Sequence, residues 1–269
     1  MLQMSLLVIT PTLGNSPHLG EAMADVGGLA ALVPLQHVVV APGERAMELR
    51  QRWPAAAVVA EAGGGGVYGA INSGAAAGEN WRWLTWLNDD DRLQPGFAAL
   101  WRRAQAAPEA ADVWYGEVDY IDEAGATIAR LPLCRRPEDV PALLAAGLAP
   151  FTQQGTLISA ALWRRLGGIN PALCIAGDFD FWVRAAAAGA RFASVPETVA
   201  SFRVRSGQLS GDVSLARAEV ATVLGRGELR IGALARLWAV VWFRMHNAPR
   251  VLRRIARTGR LRSRGMFAR

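Results

Sequence analysis

An apolar run of strand length, Trp83-Leu84-Thr85-Trp86-Leu87, ends abruptly in Asn88-Asp89-Asp90-Asp91. Three adjacent anions repel one another, and holding them beside a sheet is costly unless something positive neutralises them. Hard divalent ions such as Mg²⁺ and Mn²⁺ take oxygen ligands and often bridge one or two carboxylates to phosphates. In an open α/β sheet, the carboxyl end of a strand is also where ligands bind. A solvated acidic turn satisfies the same residues, so the surrounding chain has to decide between the two.

That chain alternates strands with helices. Ser5–Thr10, Gln36–Ala41 and Ala57–Ala60 read as short buried strands, and Leu19–Leu32 and Glu44–Trp53 as helices between them. This order implies right-handed βαβ units on a parallel sheet. The run Gly63–Gly66 reads as a loop that can lie under a phosphate or sugar, with a flexible linker as the alternative, and Ala70–Gly78 as the next helix. It matches neither a dinucleotide fingerprint nor a P-loop. A helix is expected from Pro95-Gly96 to Ala107, then a hairpin of Val113–Ile121 with Thr127–Leu133. The Gln-rich segment 150–157 leads into Ile158–Leu166, read as helical. Arg191–Ser194 and Val199–Val204 read as two late strands, followed by a turn at Ser206-Gly207.

Charge divides the chain. Residues 1–225 carry 17 Arg against 22 Asp and Glu, whereas residues 226–269 carry 12 Arg against a single Glu, and there is no Lys. The excess of +6 therefore belongs to the tail, which argues against a nucleic-acid-binding body. Two cysteines, Cys134 and Cys174, make neither a disulfide framework nor a zinc spacing. Met1–Thr12 lacks a basic leader and reads as a first strand, which together with the cysteine usage suggests a cytoplasmic protein.

A second chemical stretch is Gly177-Asp178-Phe179-Asp180-Phe181-Trp182, opening an Ala-rich helix. Asp178 sits where the helix dipole favours a carboxylate. By itself this describes an N-cap at Asp178 and a first-turn acid at Asp180.

Taken in order, the motifs resemble family 2 glycosyltransferases, inverting enzymes of the glycosyltransferase A-type fold. The resemblance covers roughly Ser5 to Ser210. It rests on Ile9-Thr10-Pro11-Thr12, Tyr68-Gly69-Ala70-Ile71-Asn72-Ser73-Gly74, and Trp86-Leu87-Asn88-Asp89-Asp90-Asp91 with Pro95-Gly96, similar to the "WLNSDD" form of the DxD motif. Tyr115-Gly116, Ile121-Asp122, Gln153-Gln154-Gly155-Thr156, Leu166-Gly167-Gly168-Ile169-Asn170 and Gly177–Trp182 follow in register. It implies an α/β chain, one Rossmann-like domain with a mixed, mainly parallel central sheet; the change of charge bounds that domain at residues 1–225 and leaves a basic amphipathic helical tail over 226–269. It implies hexosyl transfer from a UDP-, GDP- or dTDP-sugar to a glycan or lipid-linked acceptor, assisted by Mn²⁺ or Mg²⁺. Asp90 and Asp91 would hold the metal, and Pro11, Thr12, Tyr68, Asn72, Asn88, Asp89, Asp90 and Arg205 the donor. Asp178 matches the catalytic base. Gln153, Gln154, Asp180 and Trp182 fall on the acceptor side, with Trp182 reading more as packing and the glutamines equally as exposed loop amides.

Three positions depart from the family pattern. Ala41 stands where an Asp often holds the nucleobase, Gly177 precedes Asp178 in place of a Glu, and Arg205 replaces a late His. A degenerate nucleotide-sugar-binding or membrane scaffold protein is the alternative these departures raise. A nucleotidyltransferase is disfavoured, because Thr10-Pro11-Thr12-Leu13-Gly14 is not a Gly-rich loop with a cation.

In the tail, Leu229–Phe243 mixes apolar residues with Arg230, Arg236 and Arg244, followed by Arg250, Arg253, Arg254, Arg257, Arg260, Arg262 and Arg264. This pattern suits an interfacial helix on anionic lipid at the inner face of the cell membrane. A helix packed on the catalytic domain is the alternative.

Overall fold

The computed structural model describes residues 5–61, 63–205, 208 and 211–259. The expected turn at Ser206-Gly207 and the basic residues Arg260, Arg262 and Arg264 lie outside the described residues.

The first strand, β1 (Ser5–Pro11), lies inside the sheet, with Leu6, Leu7, Val8 and Ile9 all fully buried. Such a run, apolar on both sides, is what a parallel strand covered on two faces requires. β1 pairs in parallel with β2 (Leu35–Ala41) and β4 (Trp81–Trp86), and β2 with β3 (Ala57–Ala60). The helices α1 (Leu19–Ala30), α2 (Gly43–Arg52) and α3 (Gly66–Ala77) make the connections. Beyond β4 the sheet turns mixed. β8 (Thr156–Ser159) runs antiparallel between β4 and β6 (Val113–Ile121), and β6 pairs in parallel with β9 (Phe192–Arg203). The order is β3-β2-β1-β4-β8-β6-β9-β5, where β5 is Arg92–Leu93, with β7 (Thr127–Arg130) on the free half of β6. The long pairings are the parallel ones.

Alternate residues of β1 feed two cores. Leu7 and Ile9 join Ile71, Leu162 and Phe181 on one face, while Leu6 and Val8 join Ala22, Trp83 and Phe97 on the other. The first face carries α3, α5 (Val140–Ala145), α6 (Ala160–Leu166) and α7 (Gly177–Ala187); the second carries α1 and α4 (Gly96–Ala106).

Several expectations need correcting. Ile158 and Ser159 belong to β8, and the helix begins at Ala160, where the Ser159 hydroxyl accepts the Leu162 N–H at 3.2 Å. Ile158 is central in the sheet, paired with both Leu84 and Val113. The glycine loop is shorter than expected, because α3 starts at Gly66; a Cβ on Gly65 would lie 2.7 Å from the Gly69 Cα, so the close first turn needs glycine. The two late strands are one, and the register shift between Tyr115 and Glu117 accommodates Pro196 as a bulge.

Within the tail expected as helical over 226–269, the described helix is α9 (Ala233–Thr258), which packs on the domain against β7 and α5. The Asn247 carboxamide accepts the Leu133 N–H at 3.0 Å and donates to the Leu133 carbonyl at 3.1 Å. Arg250 donates to the Leu131 carbonyl at 2.8 Å and to the buried Glu117 at 2.6 Å. Among the described residues no helix is long and apolar enough to cross a membrane.

Candidate active site

The two-residue strand β5 (Arg92–Leu93) pairs antiparallel with Ser201 and Ala200 of β9. The acidic turn is therefore pinned between the end of β4 and the end of β9. Its three carboxylates separate.

Asp91 points inward and is fully buried. Its Oδ1 accepts the Arg203 backbone N–H at 2.9 Å, and its Oδ2 accepts Asn88 Nδ2 at 3.0 Å and Gln154 Nε2 at 2.8 Å. Burial first, and the Asp90 charge second, push its carboxyl up to about 8 against those three donors. Asp91 is thus the internal anchor of the turn. The expected metal-ligand role does not fit this placement, because Asp91 is fully buried and does not line the cleft that Asp89 and Asp90 face.

Asp89 and Asp90 face the cleft. The Asp89 Oδ2 accepts the Thr12 hydroxyl at 2.5 Å, and its carbonyl accepts Ser16 Oγ at 3.3 Å, so the loop after β1 holds it. Burial, reinforced by Asp90, raises the Asp89 carboxyl; the Thr12 bond and Arg205 oppose the shift. Asp90 Oδ2 accepts Arg205 Nε at 2.7 Å and Gln208 Nε2 at 3.1 Å.

Beneath them Arg203 is a clip that the sequence pattern did not reveal. Its side chain is 0% exposed. Its guanidinium donates to the Asp90 carbonyl at 2.7 Å, to the Asp122 and Glu123 carbonyls at 3.2 and 2.8 Å, and to Glu21 at 3.0 Å. Burial acts to raise the Glu21 carboxyl, but the His18 bond and the charges of Arg203 and Arg92 prevail and hold it low.

The opposite wall is the start of α7. Asp178 is half-buried there and its Oδ1 accepts the Phe179 N–H at 2.7 Å. The segment before it is fixed by Glu219 of α8 (Val213–Gly225), whose carboxylate accepts the N–H groups of Cys174, Ile175 and Ala176 at 2.7, 2.8 and 2.8 Å. Tyr68 donates its hydroxyl to the Ile175 carbonyl at 2.7 Å. Its ring also explains Gly177, since a Cβ there would come within 2.5 Å of the Tyr68 Cε2. A larger side chain before Asp178 would displace Tyr68. Burial, joined by the Asp178 charge, keeps the Tyr68 phenol well above its ordinary range.

Gln153 and Gln154 are both 4% exposed, and so are not exposed loop amides. Gln153 donates to the Trp86 carbonyl at 2.6 Å. Gln154 Oε1 is buried with no hydrogen-bond partner among the described residues. Both help line a cleft of about 680 Å³, together with Pro11, Thr12, Tyr68, Asn88, Asp89, Asp90, Asp178 and Arg205. Glu61, which sequence reasoning missed, lines it too and donates its N–H to the carbonyl of Ala41 at 2.7 Å. Its position at the carboxyl end of β3 is the signal that could have found it.

Three other expected site residues lie elsewhere. Asn72 clips the chain after α6, bonded to the Ile169 carbonyl and N–H at 2.7 and 2.9 Å. Asp180 is fully buried between Arg184, at 2.8 Å, and Arg226. Trp182 packs in the core, its ring centroid 5.1 Å from that of Phe151.

Among the described residues no group of three or more His, Cys, Asp or Glu could cage a metal by itself. Asp90 with Asp89 offers hard oxygen donors in the cleft, which fits a divalent ion that brings phosphate oxygens as its remaining ligands. To bind such an ion Asp90 would have to give up its Arg205 contact.

The fold is of the glycosyltransferase A type, a mixed and mainly parallel sheet with helices on both faces. Solved structures sharing it include S. aureus TarS in complex with UDP-GlcNAc, at TM-score 0.62 and 15% identity over 98% of this chain and 78% of that one. The mannosyltransferase PcManGT from Pyrobaculum calidifontis, in complex with GDP-Man and Mn²⁺, aligns at 0.60 and 18% over 93% and 73%. GalNAc-T7 with UDP, GalNAc and Mn²⁺ aligns at 0.58 and 15% over 82% and 48%. The chain spans 43% of a longer TarS structure. No family model and no curated protein matches the sequence.

Proposed function

We propose that the chain is an inverting glycosyltransferase of the family 2 type, moving a hexose from a nucleotide sugar to a hydroxyl of a glycan or lipid-linked saccharide. The observation that carries this reading is one cleft lined by Asp89 and Asp90 from the turn after β4, by Arg205 after β9, and by Asp178 at the start of α7. The loop Pro11-Thr12, Tyr68 and Asn88 receive the nucleotide, and Glu61 takes the place that Ala41 leaves without a carboxylate. Asp90, with Asp89 beside it, would hold Mg²⁺ or Mn²⁺. Such an ion would supply positive charge to stabilise the departing nucleoside diphosphate. Arg205, which also lines the cleft, would present its guanidinium to the phosphates of the donor. Gln154 turns its unpartnered carbonyl oxygen to a sugar hydroxyl. Asp178 takes the proton of the acceptor hydroxyl as that oxygen forms a bond to the anomeric carbon and the bond to the diphosphate breaks on the opposite face.

The Arg205–Asp90 pair also favours a second reading, a nucleotide-sugar-binding protein without transfer, because an internal cation already neutralises Asp90. Calorimetry with UDP-, GDP- and dTDP-sugars, with and without Mn²⁺, combined with a donor screen for released nucleotide, separates the two. Metal-enhanced binding with release supports the transferase, and binding without release supports the second reading. No binding of any donor refutes both.

A further inference from the structure

The docking of α9 leaves half of that helix unexplained. Ala239, Asn247 and Arg254 are buried against the domain, with Arg250 anchored beside them on Glu117. On the opposite side Leu234, Leu237, Trp238, Val241, Met245 and Leu252 are exposed, Leu234 at 83% and Met245 at 64%. Their spacing places all six on a single helical stripe, about half a turn away from Asn247 and Arg254. A helix that only covered the domain would be polar on its outer side. Here the outer side is the more apolar one.

The two edges of the stripe are basic. Arg244 flanks it on one side and Arg253 on the other, and both are exposed. The sequence around them, residues 226–269, carries 12 Arg against one Glu. Two copies of this chain meeting through the stripe would bring like-charged rows together, which opposes dimerisation there. A nucleic acid would match the arginines but not six large apolar side chains. An anionic bilayer surface matches both, apolar residues entering the acyl boundary and arginines meeting the headgroups.

We propose that the outer face of α9 docks on an anionic lipid bilayer, with Leu234, Leu237, Trp238, Val241, Met245 and Leu252 inserted and Arg244 and Arg253 at the headgroups. The inner face is bonded to Leu131, Leu133 and Glu117, so the helix does not have to leave the protein in order to bind. Docking therefore fixes the orientation of the whole domain on the surface. This holds whether or not the cleft transfers a sugar.

The test is co-sedimentation of the full chain with phosphatidylcholine vesicles, with and without phosphatidylglycerol. Binding is expected to the anionic vesicles and to weaken as salt rises. Leu237→Glu with Trp238→Glu, and separately Arg244→Glu with Arg253→Glu, should each weaken binding by roughly tenfold or more while leaving thermal unfolding unchanged. In the unaltered chain, bromine-labelled acyl chains should quench Trp emission, a readout that does not depend on any variant folding. Equal binding to neutral vesicles, no binding to anionic ones, or no quenching would overturn the proposal. So would light scattering that shows a dimer abolished by the Leu237 and Trp238 changes.

Discussion

Arg203 and Arg205 stand two residues apart at the end of β9, yet the structure gives them different work, and replacing each with Lys separates the two roles. The Arg203 side chain is 0% exposed and donates four hydrogen bonds, three to carbonyls and one to Glu21. A lysine reaches from a single nitrogen, whereas the four acceptors are spread over the three nitrogens of the guanidinium, so it replaces about two of those bonds. Hydrogen bonds from a charged donor are worth about 1.5–3 kcal/mol each, so losing two costs about 4 kcal/mol. For a chain of this size that corresponds to a fall in Tm of about 10 °C. Arg205 is 40% exposed and, among the described residues, makes one ion pair, with Asp90. Its replacement by Lys should cost no more than about 1 kcal/mol. Urea and thermal unfolding of both variants read the stability, and calorimetry with a nucleoside diphosphate sugar reads the cleft. The expected result is an unstable Arg203→Lys and a stable Arg205→Lys that binds donor more weakly. Unfolding free energy for Arg203→Lys within about 1 kcal/mol of wild type would refute the assignment of the clip.

Gly177→Ala places a Cβ 2.5 Å from the Tyr68 ring; it should destabilise by about 1–3 kcal/mol and reduce transfer, and an unchanged Tm with full activity would contradict that contact. His37, paired with the Thr10 hydroxyl at 2.9 Å, is depressed by burial from 6.5 to about 4. Between those values the unfolded chain takes up a proton that the folded one refuses, so stability is full above 6.5 and falls as pH drops toward 4. For a half-buried ring the loss is about 1–3 kcal/mol, and His37→Gln should remove it, as denaturant titrations at pH 4.5 and 7 would read.

Much of the fold is legible in the sequence because its signals are local. The apolar run of β1, the Pro-Gly at the start of α4 and the alternation of β6 depend on neighbouring residues. β8 is not legible in that way. Ile158 looks like the first turn of the helix that follows, and only its two partner strands make it a strand. The candidate site divides along the same line. The residue types at the end of β4 announce a charged turn, but which carboxylate faces the cleft depends on Arg203, Gln154 and Asn88, brought to Asp91 by β9, by the segment before β8 and by the turn itself. Glu219 was invisible for the same reason, since its three backbone partners lie more than forty residues before it.

Comparing donor binding with turnover in Asp90→Asn and Asp178→Asn addresses the shared cleft most directly. Asp178→Asn should bind the nucleotide sugar with Mn²⁺ within about twofold of wild type and lose transfer by about a hundredfold or more, whereas Asp90→Asn should lose metal-enhanced binding and transfer together. Transfer by Asp178→Asn at the wild-type rate would contradict the account.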